Sequence, residues 1–94
     1  MKNVFVSFDL ENTTNLYDDF YAKAEKIGLK KYIMGQYVSG GENAVLPNTT
    51  LHGNFPGNSE EIRDSVRREI SNIFKELNVK GKSLVVVSET WGTN

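Results

Sequence analysis

The stretch that decides the fold is residues 58–77, NSEEIRDSVRREISNIFKEL. Its apolar residues recur every three or four positions, the spacing that places side chains on one face of a helix. Asn58 and Glu61 have the spacing of a capping box, with asparagine in place of the usual serine or threonine. The stretch therefore predicts a long amphipathic helix. Its core-facing stripe consists of Ile62, Val66, Ile70, Ile73, Phe74 and Leu77.

Strands are predicted on both sides of this helix. Thr49–Phe55 precedes it and ends at Pro56-Gly57, a turn in which proline sets the first central φ and glycine accepts the positive φ of the next position. Leu84–Val87 follows it after a turn at Gly81, and this continuous apolar run predicts a buried strand. The second half of the chain is therefore predicted to be a strand–helix–strand unit.

The first half of the chain predicts the same plan. Residues 3–10, NVFVSFDL, alternate as a strand with one buried face does. A helix is expected next, capped by Asn15 and ended by Gly28. Residues 32–38 predict a second strand, and the segment 39–48 is either a loop or part of a long bent hairpin. The residues expected to face the core are Val4, Val6, Phe8 and Leu10 of the strand, and Leu16, Phe20, Ala24 and Ile27 of the helix.

Two successive strand–helix–strand units predict one α+β domain over residues 1–94. The expected architecture is a ferredoxin-like βαββαβ sandwich, in which a four-stranded antiparallel sheet carries two helices on one face. The other face of the sheet is then bare and includes Phe5 and Ser7. A bare face with apolar content suggests a homodimer surface.

Composition excludes several kinds of site. The 94 residues include no cysteine and one histidine, so disulfides and cysteine- or histidine-rich zinc sites are excluded. The net charge of −1 argues against broad, unspecific binding to a nucleic-acid backbone. No apolar run approaches the roughly 20 residues of a membrane span, and the N-terminal run is too short for a signal peptide. We therefore expect a cytoplasmic protein with no membrane partner.

Asp9 is the main candidate for chemistry. It closes the first strand on the bare face, beside Ser7 and near Glu11. Oxygen ligands such as its carboxylate suit Mg²⁺ or Mn²⁺. In a symmetric dimer, two copies of Asp9 could meet at one ion. The alternative is an Asx turn, in which Asp9 bonds the backbone of residues 11–13.

Other polar side chains have two interpretations each. Four basic residues are candidate nucleic-acid contacts or part of a solvated helix face; they are Lys30, Lys31, Arg63 and Arg67. Four tyrosines either stack on bases or line the rim of the core; they are Tyr17, Tyr21, Tyr32 and Tyr37. His52 is either a general base or a half-exposed strand residue.

The opening VFVSFDL, Val4–Leu10, resembles the first strand of a group of small ferredoxin-like proteins, whose apolar strand ends in Tyr/Phe-Asp-Leu/Ile. The group includes the second CRISPR-associated core protein, the VapD-like ribonucleases and the SinR-like proteins. The resemblance continues through an early helical tyrosine, a glycine, a threonine-led strand, an Ile-Arg-Asp helix, a Leu-Val-Val strand and a late tryptophan. The matching residues are Tyr17 or Tyr21, Gly28, 48–51, 61–64, 84–86 and Trp91.

This resemblance implies a homodimer that handles RNA or DNA. Asp9 would be the catalytic and metal-binding residue of an endoribonuclease or endonuclease that depends on Mg²⁺ or Mn²⁺. The alternative is a non-catalytic dimeric adaptor that binds through its sheet or through the 39–48 loop. A third interpretation is a small-ligand sensor with an apolar pocket between subunits. Whether the chain is an enzyme stays open at this point.

Overall fold

The computed structural model describes residues 1–11, 15–33, 44–45 and 49–91. These residues form an α+β domain with two helices and a three-stranded antiparallel sheet. The elements in chain order are β1 (Lys2–Leu10), α1 (Tyr17–Lys26), β2 (Tyr32–Ile33), β3 (Ala44–Val45), β4 (Thr50–Phe55), α2 (Ser59–Leu77) and β5 (Gly81–Ser88). In this part of the chain, neither helix combines the length and the apolar character that a bilayer-spanning segment needs.

β1 is the central strand, and the sheet order is β4-β1-β5. On one side Val4 lies opposite Gly53 and Val6 opposite Leu51; on the other side Val6 lies opposite Val85. Facing residues of neighbouring strands project to the same side of a sheet. These residues therefore form the floor of the core beneath the helices, as the alternation of β1 predicted.

The main sheet has three strands in the described residues, where four were expected. β2 and β3 have two residues each and pair with each other in a separate two-stranded sheet. Lys30, before β2, forms an isolated bridge with His52 of β4, with both N–H···O distances at 2.8 Å. Among the described residues, no further ladder pair follows this bridge along β4. Apart from Ala44–Val45, the predicted 39–48 loop lies outside the described residues.

α2 has the predicted start and the predicted buried stripe. The Asn58 side chain accepts hydrogen bonds from the backbone N–H groups of Glu60 and Glu61, at 2.8 and 3.3 Å. Asn78 ends the helix in the left-handed conformation, with φ 53°. The buried residues are Ile62, Val66, Ile70 and Ile73, and Phe74 and Leu77 pack at the edge of the core.

α1 differs from the prediction at its start. The helix has Leu16 at its N-cap position and no side-chain capping bond, so the predicted cap at Asn15 is wrong. The Leu16 carbonyl instead accepts the first helical hydrogen bond, from Phe20 N–H at 2.9 Å. The helix end is confirmed, because Gly28 turns the chain with φ 95°.

The expectation that residues 84–87 form a buried strand is wrong for one face of β5. Leu84 and Val86 are 64% and 44% exposed. Val85 and Val87 pack against the core from the other face. The reason is the one-sided cover of the sheet, because the helices shield only the face that Val85 and Val87 share with Val6.

Candidate functional site

Asp9 lies near the end of β1, on the bare face of the sheet, and is exposed. Lys82 of β5 is directly opposite it in register. Cross-strand neighbours share one face, so the Lys82 ammonium group lies on the same side as the carboxylate. Within the part of the chain that the structure describes, the Asp9 side chain has no hydrogen-bond or ion-pair partner. The Asx-turn alternative involves residues 12 and 13, which lie outside that part.

Tyr17 fixes the strand end that carries Asp9. Phe8 N–H donates to the carbonyl of Thr49, just before β4, at 3.0 Å. Leu10 N–H is the next donor on that side and lies beyond the start of β4. It donates to the Tyr17 hydroxyl at 3.2 Å. α1 thus supplies a side-chain partner for a strand donor that would otherwise be left without its hydrogen bond.

The other side of the same strand end is also bonded. Glu11 N–H donates to the carbonyl of Lys80 at 2.8 Å, one step beyond the pairing of Leu10 with Gly81. The backbone around Asp9 is therefore held from both sides. A carboxylate on such a rigid strand end is well placed to bind a ligand with little ordering cost.

The described tyrosines are structural. Tyr21 accepts a hydrogen bond from Thr49 N–H at 3.2 Å, and the Lys31 ammonium lies 4.5 Å from its ring centroid. Tyr17 and Tyr21 both pack against the core. They therefore fit the interpretation as rim residues rather than as platforms for bases. The side chain of Tyr32 and the whole of Tyr37 lie outside the described residues.

The four predicted basic contacts lie on different elements. Lys30 and Lys31 follow α1, whereas Arg63 and Arg67 lie on α2. Both arginines approach Asp64, at 3.0 and 3.9 Å. The hydrogen bond from Arg63 holds the pKa of Asp64 below its usual value. Asp64 therefore stays charged and offsets part of the positive charge of the arginine pair.

Lys82 and Tyr17 are site residues whose roles were not predicted. Lys82 follows the predicted turn at Gly81, but its position opposite Asp9 depends on the register between β1 and β5, because the two paired residues are 73 positions apart in the sequence. The only sequence signal for that register is the alternation of apolar residues in the two strands, because the apolar positions of both must face the core. The Tyr17 hydroxyl accepts a hydrogen bond from the backbone N–H of Leu10, a role that neither interpretation of the tyrosines predicts.

His52 is buried, with 4% of its surface exposed, so the expectation of a half-exposed strand residue is wrong. It lies opposite Phe5 on the sheet face away from the helices, so that face is bare around Asp9 but covered at His52. Its Nε2 lies 2.9 Å from Asn3 Oδ1, and its ring centroid lies 4.9 Å from that of Phe5. An amide oxygen can only accept, so Nε2 donates the hydrogen bond. Burial lowers the pKa of His52. An amide and an aromatic ring are the surroundings of a structural histidine.

The burial of His52 predicts a fold that loses stability in mild acid. The pKa of His52 in the folded state lies below its ordinary value of 6.5, so the unfolded chain takes up the proton first. Stability is then fully present above pH 6.5 and falls as the pH drops through 6.5 towards the folded-state pKa. Urea unfolding is expected to show a lower midpoint in mild acid than at neutral pH. The His52→Gln variant should show a smaller decline, and equal declines in both proteins would contradict the prediction.

One chain offers few ligands for a metal ion. Among the described residues, no group of three or more histidine, aspartate or glutamate side chains is gathered where it could hold an ion. Asp9 alone supplies one carboxylate. Mg²⁺ often binds through one or two carboxylates and takes its remaining ligands from water and substrate phosphates. Asp9 fits that kind of site rather than an all-protein cage.

In comparisons with known proteins, the sequence matches no protein-family model and no curated protein.

Proposed function

We propose that this chain is a dimeric nucleic-acid-associated protein in which Asp9 holds a divalent ion against a phosphate. The observation that carries the proposal is the exposed Asp9 carboxylate, without a partner in the described residues, at a strand end bonded from both sides. Mg²⁺ or Mn²⁺ would complete its coordination with water and phosphate oxygens. An ion there would activate a water and offset the charge on the phosphate, which is endonuclease chemistry.

The ferredoxin-like architecture is part of this proposal. It is supported by the central position of β1 and by the two helices on one face of the sheet. It is also supported by the bridge from Lys30 to His52, which lies at the β4 edge. Extending that bridge along β4 would add the fourth strand in the order β2-β4-β1-β5. The resemblance of Val4–Leu10 to small nucleic-acid-handling proteins of this architecture points the same way.

Phosphate contacts are proposed near Asp9 and on the helices. Lys82 is on the same face as Asp9 and would contact a phosphate beside the ion. The contacts with RNA or DNA that are predicted for four basic residues remain part of the proposal; these residues are Lys30, Lys31, Arg63 and Arg67. The shared neighbour Asp64 weakens the arginine pair in this role. A cytoplasmic location also stays a prediction.

A non-catalytic dimeric adaptor is the second candidate, and one observation favours it. The Lys82 ammonium group opposite Asp9 repels a divalent cation and competes with it for the carboxylate. The exposed Leu84 and Val86 would then serve a partner molecule. Binding through the 39–48 loop also stays a prediction.

Cleavage of single- and double-stranded RNA and DNA in Mg²⁺ or Mn²⁺ tests the proposal. The native protein should cleave one of these substrates only with metal. Asp9→Ala should lower the rate on the order of 100-fold or more, because a metal ion supplies several kcal/mol of catalysis.

Asp19→Ala is the matched control, since Asp19 is an exposed acid on α1 and should retain full activity. Circular dichroism establishes that both variants are folded. If no substrate is cleaved above the Asp9→Ala background, the nuclease form of the proposal fails and the adaptor form replaces it.

A further inference from the structure

We propose that the free edge of β5 pairs with β5 of a second copy of this chain, so that the sheets of the two copies become one continuous sheet. β5 pairs with β1 on one side, and no strand in the described residues pairs with its other side. This inference rests on the dimer of the proposed function and specifies the strand that forms it.

The residues of β5 do not suit an edge strand that faces water. Positions 84–87 are four consecutive apolar residues, which place apolar side chains on both faces. Such runs are typical of strands inside a sheet. Edge strands of monomers usually carry a lysine, a proline or a bulge to prevent pairing. In β5 the lysine lies near the start, at Lys82, and leaves the centre open to a partner strand.

The hydrogen-bond pattern identifies the backbone groups that point to the free edge. Glu11 N–H donates to the carbonyl of Lys80, and bonded pairs alternate with non-bonded pairs along an antiparallel ladder. The residues of β5 that bond to β1 are therefore the even-numbered ones from 82 to 88. The N–H and C=O groups of Ser83, Val85 and Val87 point away from β1. These groups are the ones available to a second copy.

A two-fold axis at Val85 gives the most favourable antiparallel register. Val85 then lies opposite its own copy, and Leu84 lies opposite Val86 of the second copy. At the ends of the pairing, Lys82 faces Ser88. On the bare face, residues 82, 84, 86 and 88 of one copy lie opposite residues 88, 86, 84 and 82 of the other. Apolar side chains therefore face apolar side chains at the centre of the pairing. The exposed surfaces of Leu84 and Val86 are covered in part by each other.

The placement of charges at the two ends of β5 agrees with antiparallel pairing of a second copy along this edge. Lys80 and Lys82 are exposed at the start of β5, where Asp9 lies opposite Lys82, and Glu89 follows its end with a side chain that is 84% exposed and 3.9 Å from the Lys2 ammonium of the same chain. Antiparallel pairing of two copies keeps the two lysine-bearing starts apart and sets each of them near Glu89 of the other copy. A parallel arrangement would instead set like charges together.

Edge pairing separates the two Asp9 carboxylates. Three strand spacings across the sheet and six residues along it place them about 25 Å apart. Both lie on the same face of the joined sheet, the one away from the helices, since the axis is perpendicular to the sheet. The dimer therefore has two one-carboxylate sites, whereas the expectation of one shared ion would need a face-to-face dimer.

Sedimentation velocity tests the pairing. The native protein should sediment as a dimer, and Val85→Pro as a monomer with an unchanged circular dichroism spectrum. Proline removes the N–H group of Val85, which points to the free edge and makes no bond to β1. Val85→Thr keeps that N–H group and the β-branched shape, so this control should remain a dimer.

A native monomer overturns the proposal, and so does a folded Val85→Pro dimer. If Val85→Pro fails to fold, the distance between the two copies of residue 9 tests edge pairing instead. The chain has no cysteine, so Asp9→Cys carries one spin label per copy. Double electron–electron resonance should give about 25 Å between the labelled positions, and a much shorter distance overturns edge pairing. Neither readout involves cleavage, so failure here is distinguishable from failure of the nuclease test.

Discussion

Replacing Phe20 with alanine is expected to lower the free energy of unfolding by about 3–5 kcal/mol, the range found when a buried phenylalanine is truncated. Phe20 is fully buried in α1. Its ring stacks on Phe8 of β1, with the centroids 4.1 Å apart, and lies 5.6 Å from the ring of Phe74 in α2. One side chain thus joins three elements. A domain of this size is stabilised by only about 5–14 kcal/mol in total, so the variant should lose a large share of its stability.

Urea unfolding followed by circular dichroism measures this loss. Glu25→Ala on the same helix is the control, because Glu25 is exposed and its truncation should change stability by less than about 0.5 kcal/mol. An unfolding midpoint for Phe20→Ala equal to that of the control would mean that the aromatic contacts between α1, β1 and α2 contribute little.

β1 and α2 could be predicted from the sequence because each buries one face. Burial of Val4 and Val6 imposes a period of two on β1, and burial of Ile62 and Val66 imposes the helical period on α2. The cap at Asn58 was predictable because its hydrogen bonds are local. These signals do not depend on which elements are neighbours.

The parts that could not be predicted depend on neighbours. From the sequence, Leu84 is predicted to be a core residue. In the described residues β5 is an edge strand with one covered face, and Leu84 lies on the other face. From the sequence, His52 is predicted to be half-exposed. The register of β1 with β4 places Asn3 and Phe5 beside it, and this register is not visible in the sequence. The same limit applies to the site. Alternation was enough to place Asp9 on the bare face, but its neighbour Lys82 required the register.

Gly53→Ala is expected to lower the free energy of unfolding by about 3 kcal/mol, at the upper end of the range for overpacking. Gly53 is buried in β4 and lies on the core side, opposite Val4. A Cβ atom there would collide with the carbonyl oxygen of Gly28 and lie 2.8 Å from the Phe55 ring. A phenylalanine ring can rotate, whereas a backbone carbonyl moves only with its chain.

The chain at Gly28 has little freedom to move. Gly28 N–H donates to the carbonyl of Glu25 at 3.0 Å, and Leu29 N–H donates to that of Ala24 at the same distance. Its φ of 95° is one that glycine adopts without strain. Relief of the collision therefore requires β4 and the end of α1 to separate, which would also strain the bridge between Lys30 and His52.

Two measurements check this mechanism. Urea unfolding should show the loss of stability in Gly53→Ala and almost none in Asn54→Ala, because Asn54 is exposed on the opposite face of the same strand. Amide hydrogen exchange should be faster at Lys30 and His52 in the glycine variant alone, since the separation acts on their two hydrogen bonds. If stability falls but exchange at these two amides is unchanged, the collision is relieved within the core and β4 keeps its contact with the end of α1.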